Sequence, residues 1–303
     1  MMKQYEMFEL KFQADPPVNS NVEIDLQAEF TQQGRSLTVK GFYAGNNEYI
    51  IRFYPQNAGK YTCKITGIIE AEKTYICEKS SQTGMVRVVK SHFEYENGTK
   101  YLPFGTTIYA LAHQEPQLIK QTVNTLSSSP FNKVRHCIFP KHYDYNHNEP
   151  VFYPFEKKKD GSLDVHHPCF GYWDHLESII FQLQKMGIES DIILFHAYDR
   201  WRFSSLSMEE NKIYLDYVLR RLSAVPSVWW SMANEYDIVF SRKENDWYDI
   251  ETFIVENDPF QHLLSNHNCL NIIVPIIVPD TNVVNLSILE KFQNSFSPDF
   301  IGI

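Results

Sequence analysis

An apolar segment that ends abruptly in two polar residues is the part of this sequence with the clearest chemistry. Residues 227–233 read Ser-Val-Trp-Trp-Ser-Met-Ala, and Asn234 and Glu235 follow directly. This pattern predicts a buried strand that delivers a carboxyl group to a cleft, because parallel barrels place their chemistry at the carboxyl ends of their strands. Apolar surroundings such as Trp229 and Trp230 favour the uncharged acid. Glu235 is therefore the first candidate for a proton donor, and the alternative is a solvated loop carboxylate.

Polar residues also follow three earlier segments that read as strands. They occupy residues 109–113, 140–148 and 196–201. If these strands and the one before Glu235 belong to one barrel, their carboxyl ends line a single cleft. The sequence therefore predicts a substrate site there, with these candidate binding residues: Asn234, Arg135, His113, His142, His196, Tyr198 and Trp201.

Several of these candidates also fit a purely structural role. Arg135 lies inside an apolar strand, where a guanidinium group needs a carboxylate partner to offset its desolvation. An ion pair and a substrate contact are both open for it. His113, His196 and Tyr198 could be hydrogen-bonded residues beneath a loop, and Trp201 could be either a platform for a sugar ring or the anchor of a loop.

The metal-ligating residue types do not form a recognisable site. Five cysteines make an odd set without a C-x-x-C spacing, which is typical of reduced structural thiols. No metal and no cofactor are predicted. A metal-dependent sugar isomerase barrel is an alternative, and it would require a set of carboxylate and histidine ligands at the strand ends. The histidines and carboxylates whose spacing matches no ligand template are His142, His147, His166, His167, Asp144 and Asp164.

Composition excludes several kinds of partner. The chain has 303 residues, of which 43% are hydrophobic, and a formal net charge of -9. This charge argues against a nucleic-acid footprint and against a basic surface for membranes, so a neutral small molecule is the expected partner. The first residues lack the apolar run of a signal peptide, and no segment has the length of a membrane span. The expected location is the cytoplasm.

Two patterns of periodicity divide the chain. Residues 1–90 read as short alternating strands between turn residues, with predicted strands at 22–30, 36–40, 48–54 and 60–66. This spacing predicts an immunoglobulin-like β-sandwich. Tyr61, two residues before Cys63, resembles the tyrosine that marks a corner of such domains.

Residues 91–303 change to apolar strands that alternate with amphipathic helices. This alternation predicts a parallel sheet of the TIM-type (β/α)8 barrel or the doubly wound class. The predicted strands are 102–111, 133–139, 190–195 and 227–233, and the predicted helices are 173–186 and 209–222.

Four segments carry a resemblance to a known family. Residues 103–107, 129–135, 194–201 and 228–237 resemble bacterial cellulase-like and apiosidase-like glycoside hydrolases, in which an immunoglobulin-like domain precedes a clan A (β/α)8 barrel. The resemblance implies that Glu235 is the general acid/base, that Arg135 lies beside the nucleophile and that Asn234 contacts the sugar 2-hydroxyl. It also implies a retaining mechanism with a second carboxylate as nucleophile and no cofactor.

The resemblance fades after Leu270, where the family's seventh strand and its nucleophilic glutamate are expected. No nucleophile can be assigned there, and the barrel part is shorter than the ~250 residues of a typical complete barrel. We therefore expect an incomplete barrel whose unpaired edge favours self-association, and weak or no activity of this chain alone. The alternative from another class is a non-catalytic carbohydrate-binding pseudoenzyme or an inactive fragment.

Overall fold

The structure is a computed structural model that describes residues 1–144 and 146–269. Its amino-terminal part is rich in β-structure. The strands are β1 (Met2–Lys3), β2 (Phe8–Gln13), β3 (Leu26–Gln32), β4 (Arg35–Lys40), β5 (Phe42–Gly45), β6 (Glu48–Phe53), β7 (Gly59–Gly67) and β8 (Ala71–Glu78). Within the described ranges they form one sheet in the order β1-β8-β7-β3-β4 and a second in the order β2-β6-β5.

Alternating burial explains why these sheets form. In β3 the side chains of Leu26, Ala28 and Phe30 are buried while those between them are exposed, as expected for a strand with one face on a core. Phe30 stacks on Phe53 of the second sheet, with 3.9 Å between ring centroids, so both sheets contribute to one core. Tyr61 donates a hydrogen bond to the carbonyl of Asn57 over 3.0 Å, which fixes the turn before β7.

Three predicted strands of this part coincide with β4, β6 and β7 to within one or two residues. The strand predicted at 22–30 was placed too early, because β3 begins at Leu26. A further small antiparallel sheet consists of β9 (Val86–Val89), β10 (His92–Tyr95) and β11 (Lys100–Tyr101). The division predicted after residue 90 falls in the turn between β9 and β10 and stays a prediction.

The remaining described residues form a partial α/β domain. Its strands are β12 (Gly105–Thr107), β13 (Lys133–Cys137), β14 (Phe155–Lys157), β15 (Leu163–Pro168), β16 (Glu189–His196), β17 (Val228–Asn234) and β18 (Leu264–Ser265). In the described part, β14 and β15 pair as a hairpin, and the others form a parallel sheet in the order β12-β13-β16-β17-β18. Every residue of β16 and β17 is buried, which is typical of parallel strands covered on both faces.

Helices connect the parallel strands in sequence. They are α1 (Pro116–Ser127), α2 (Phe170–Lys185), α3 (Met208–Leu222) and α4 (Glu244–Asn257), with short 3-10 helices at Leu111–His113, Phe203–Ser205 and Tyr236–Ile238. A capping box between Ser207 and Glu210 starts α3. After α2, the amide of Gly187 donates to Gln184 and that of Ile188 to Leu183, and Gly187 has the positive φ of 74° that this helix ending requires.

The strand predicted at 102–111 is mostly wrong, because only Gly105–Thr107 is a strand. The side chain of Asn132 accepts from the amide of Phe104 and donates to the carbonyl of Leu102, so it satisfies backbone groups that a strand neighbour would otherwise satisfy. The 3-10 helix at Leu111–His113 then ends the extended chain. Helices α1 and α4 and the β14–β15 hairpin were not predicted.

A buried charge cluster joins the two parts. Arg52 of β6 donates two hydrogen bonds of 2.8 Å to Glu177 of α2, and Arg221 of α3 donates a third of 2.6 Å. Burial pushes the pKa of Glu177 upward, but the two guanidinium groups outweigh it and bring the pKa down to about 2. Glu177 is therefore ionised and fully paired.

No helix in the described ranges is both long and apolar enough to span a bilayer.

Candidate active site

Glu235 emerges where β17 ends. Its backbone is left-handed, with φ 56° and ψ 55°, a conformation that costs a non-glycine residue about 1 to 2 kcal/mol. Hydrogen bonds on either side hold the chain there: Tyr236 donates to the carbonyl of His267 over 3.0 Å, and His267 donates to that of Ala233 over 3.2 Å. Strained residues that the surroundings hold in place cluster at functional sites, which makes Glu235 a candidate on geometry alone.

The carboxyl group of Glu235 has a tyrosine partner. The Tyr198 hydroxyl, from the loop after β16, donates a hydrogen bond to Oε2 of Glu235. Burial and this hydrogen bond raise the pKa of Tyr198 well above its usual value, so the hydroxyl remains a donor throughout the physiological range. Glu235 itself is half-buried. One face of its carboxyl group is therefore held while the side chain still reaches solvent.

Asn234 lies next to this carboxyl group with 0% of its surface exposed. Its Oδ1 accepts from the Tyr109 hydroxyl over 3.3 Å and from Nη1 of Arg135 over 3.5 Å. Its Nδ2 has no acceptor among residues 1–144 and 146–269. A buried donor without a partner costs about 1 to 3 kcal/mol, so an acceptor on a bound molecule would stabilise it.

Arg135 has the carboxylate neighbour that one of its two possible roles requires, and its contact with a substrate stays a prediction. Its Nη2 donates to Ser231 Oγ over 3.1 Å, and its Nε lies 3.6 Å from Oδ2 of Asp191, a buried carboxylate that Lys133 also contacts at 2.7 Å. The guanidinium group thus has a carboxylate neighbour deep in the sheet and also reaches Asn234. Arg135 therefore links the interior of the sheet to the candidate site.

His113 and His196 are buried beneath the strand-end loops. Nε2 of His113 lies 3.0 Å from the carbonyl of Ile138, and Nε2 of His196 lies 3.2 Å from that of Phe139. Nδ1 of His196 accepts from the amide of Tyr198. Burial lowers the pKa of both imidazoles to about 3, so both are neutral. They fix the loops that carry the site, and their contact with a substrate stays a prediction.

His142 and Trp201 lie together at the outer side of these loops. Their ring centroids are 6.3 Å apart, and the amide of His142 donates to the carbonyl of Tyr198 over 3.0 Å. The indole of Trp201 is buried and donates to Glu149 over 2.8 Å, and Glu149 also pairs with Arg200. Trp201 therefore anchors one loop to another, and a sugar contact by either residue stays a prediction.

The sequence argument missed Lys141. Its side chain is 3% exposed, and its ammonium group lies over the rings of Tyr109, Tyr198 and Tyr143. A lysine directly after Pro140 in a tyrosine-rich segment was the available signal, but lysine is rarely buried and was not considered.

The described part of the chain contains no group of three or more His, Cys, Asp or Glu residues that could hold a metal ion. Two of the histidines that the sequence singled out each pair with one carboxylate, His166 with Glu23 and His167 with Asp164, both at 3.0 Å. The five cysteines are free, and burial raises the pKa of the Cys137 thiol to about 12, which makes it a poor nucleophile. The position expected for a second carboxylate, after Leu270, lies outside the described residues.

Comparison with known proteins gives matches to protein families and to solved structures. The apiosidase-like catalytic domain family matches residues 89–287, and DUF5060, a domain family of unknown function, matches residues 1–67. A solved structure from Bacteroides vulgatus ATCC 8482, assigned as a glycoside hydrolase, is 37% identical with a TM-score of 0.86. The alignment covers 92% of this chain and 58% of that one, so this chain spans a little over half the length of that protein.

More remote structures are also similar. An endo-1,4-beta-mannanase from Rhizomucor miehei is 17% identical with a TM-score of 0.45, covering 61% of this chain and 60% of its own. A glycoside hydrolase family 5 mannosidase from the same organism is 14% identical with a TM-score of 0.46, covering 64% and 58%. Likeness at this level does not define the architecture of this chain. No curated protein matches it.

Proposed function

We propose that this chain, which belongs to the apiosidase-like family, forms the acid/base side of a retaining glycoside hydrolase that cleaves O-glycosidic bonds in an oligo- or polysaccharide. The observation that carries the proposal is the Asn234-Glu235 pair at the carboxyl end of β17, with Tyr198 bonded to Glu235 and with Tyr109 and Arg135 bonded to Asn234. In this proposal the parallel sheet is part of a (β/α)8 barrel that follows an immunoglobulin-like sandwich.

Each residue has a chemical task in this reaction. Glu235 protonates the glycosidic oxygen while a second carboxylate, about 5 to 5.5 Å away, attacks the anomeric carbon. The C–O bond to the leaving group breaks, and the sugar becomes esterified to the second carboxylate. A water molecule then attacks the anomeric carbon while the ionised Glu235 removes its proton. This attack breaks the ester bond and releases the second carboxylate. We propose that the second carboxylate comes from a segment outside the described residues.

The neighbours of Glu235 orient it and the sugar. Tyr198 donates to one carboxyl oxygen, which leaves the other free to face the glycosidic oxygen. The buried Nδ2 of Asn234 needs an acceptor, and a sugar 2-hydroxyl can provide one. Hydrogen bonds of this type to the 2-hydroxyl strengthen in the transition state.

Replacement of Glu235 tests the proposal directly. In E235Q the amide keeps the shape of the side chain but cannot supply a proton, so turnover of aryl glycosides should fall by about 100-fold to 10,000-fold while sugar binding persists. Turnover is followed by release of the aryl group and binding by calorimetry. The matched control is E244Q, because Glu244 is exposed at the start of α4.

The outcomes separate the two candidate functions. Loss of turnover with retained binding in E235Q supports a hydrolase. If the unmodified chain binds sugars but hydrolyses none, it is a carbohydrate-binding pseudoenzyme or an inactive fragment. This alternative is supported by the single carboxyl group, that of Glu235, placed at the site among the described residues. Full turnover by E235Q would exclude Glu235 as the acid. The first-formed anomer, observed by NMR, decides whether configuration is retained.

A further inference from the structure

A buried lysine lies at the centre of the tyrosines that surround the candidate site. Nζ of Lys141 is 3.3 Å from the ring centroid of Tyr109, 4.0 Å from that of Tyr198 and 4.9 Å from that of Tyr143. The faces of tyrosine rings attract a cation, and the attraction reaches about 2 kcal/mol or more when the cation is desolvated, as it is here. One ammonium group therefore contacts the chain segments that follow β12, β13 and β16.

Two of these rings carry the hydroxyl groups that hold the catalytic pair of the proposed reaction. Tyr198 donates to Oε2 of Glu235, and Tyr109 donates to Oδ1 of Asn234 over 3.3 Å. Because a tyrosine ring is rigid, the position of its hydroxyl follows from the position of its ring. The cation that fixes the two rings thereby fixes both hydroxyl groups.

The charges around Lys141 also connect it to the site. Burial lowers the pKa of its ammonium group, the nearby Glu235 acts to raise it, and Arg135 acts to lower it further. The side chains that face the ammonium group are thus aromatic or ionisable groups of the site itself. Lys141 does not need to touch a substrate to influence Glu235.

We infer that Lys141 is a positioning residue that holds the Glu235 carboxyl and the Asn234 amide in place through the rings of Tyr198 and Tyr109. The inference rests on the proposed function only for its effect on turnover. A merely structural lysine would lower stability when replaced, but it would leave the surroundings of the Glu235 carboxyl group unchanged.

The test compares K141M, which keeps the length of the side chain without its charge, with K141R, which keeps the charge. The control is K157M, because Lys157 is exposed and its ammonium group also lies over a tyrosine ring, 3.9 Å from the ring centroid of Tyr153. The first measurement is the NMR resonance of the Glu235 carboxyl carbon in protein labelled at glutamate, assigned with E235Q. The second is kcat and KM for an aryl glycoside.

The expected result is specific to Lys141. K141M should displace the Glu235 resonance in the direction that Y198F does and should lower kcat by about 10-fold to 100-fold at nearly constant KM, because small misplacements of catalytic groups have effects of this size. K141R should recover most of both, and K157M should change neither. A Glu235 resonance in folded K141M that matches the unmodified protein would overturn the inference.

Failure of the proposed function is distinguishable from failure of this inference. If the unmodified chain hydrolyses no glycoside, the turnover prediction of the proposed function fails for this chain alone, and the Glu235 resonance by itself decides whether Lys141 positions the carboxyl group. If K141M does not fold, the same comparison is made with K141Q, which also removes the charge and keeps most of the side-chain length, and a Glu235 resonance in folded K141Q that matches the unmodified protein would overturn the inference.

Discussion

The two ends of the parallel sheet differ in whether their buried polar groups have hydrogen-bond partners. At the amino end, Glu189 is 5% exposed, accepts from the Tyr95 hydroxyl over 3.2 Å and accepts from the Trp229 indole over 3.1 Å, so both carboxyl oxygens are satisfied. At the carboxyl end, Asn234 is equally inaccessible, but its Nδ2 has no acceptor within the described ranges, and the next residue is strained.

This difference separates stability from function. The amino end is closed by the small β9–β11 sheet, whose Phe93 and Tyr101 pack on Trp229 with ring centroids 5.5 and 5.7 Å away. Lys133 lies over the same indole at 4.5 Å. The carboxyl end keeps a buried donor and a half-buried acid, which is where barrel enzymes place their chemistry.

The largest effect is expected at Trp229. W229A removes a buried indole that Phe93, Tyr101 and Lys133 contact, and it leaves Glu189 without one of its donors. The free energy of unfolding should fall by about 3 to 5 kcal/mol, measured by denaturant titration. W229F keeps an aromatic ring but loses the donor and part of the indole volume, so its loss should be smaller, about 1 to 3 kcal/mol. Equal losses in both variants would mean that ring packing contributes little at this end.

Glu189 provides a second, pH-dependent measure of the amino end. Burial raises its pKa from 4.5 to about 7, and the hydrogen bonds from Tyr95 and Trp229 only partly offset this. Between these two values the unfolded carboxyl group has released its proton while the folded one retains it, so stability falls as pH rises. The loss should reach about 3 kcal/mol by the time pH exceeds 7.

Denaturant titrations at about pH 5 and about pH 8 test this slope. E189Q cannot ionise and should lose less stability than the unmodified protein between the two conditions. Glu251 is the matched comparison, because burial also raises its pKa to about 7 and it lies on α4, away from Glu189. E251Q should therefore remove a separate share of the slope. An E189Q profile that parallels the unmodified protein would show that Glu189 is already ionised at neutral pH.

The carboxyl end was the more predictable of the two from sequence. The strands at 133–139, 190–195 and 227–233 were placed almost correctly, because an apolar run that stops at polar residues is a local pattern. That pattern located Glu235, and the family match over residues 89–287 confirms the predicted resemblance. It could not reveal the left-handed backbone of Glu235, which depends on hydrogen bonds to residue 267 far along the chain.

The features that were not predicted from sequence depend on contacts between residues that are distant in the chain. Lys141 is buried only because rings from three separate segments enclose it, and no local pattern encodes that. The amino-end closure depends in the same way on β9–β11 reaching Trp229. The strand predicted at 102–111 was wrong because the Asn132 side chain, about thirty residues away, satisfies its backbone. Helix α1, in contrast, could have been predicted from the local sequence, since Pro116 precedes apolar residues at helical spacing.

The smallest effect concerns the strain at the carboxyl end. E235G and E235A both lose the hydrogen bond from Tyr198, so their difference isolates the backbone at residue 235. Glycine adopts a φ of 56° without the clash that a Cβ atom causes, and E235G should therefore be more stable than E235A by about 1 kcal/mol. Denaturant titration of the two variants measures the difference in their free energies of unfolding.

Ser231, inside β17, is the control position. There the alanine variant should be more stable than the glycine variant, because glycine weakens an extended strand by about 0.5 to 1 kcal/mol relative to alanine. If alanine is the more stable residue at both positions, the backbone at Glu235 is not strained, and the contrast between the two ends of the sheet rests on hydrogen bonding alone.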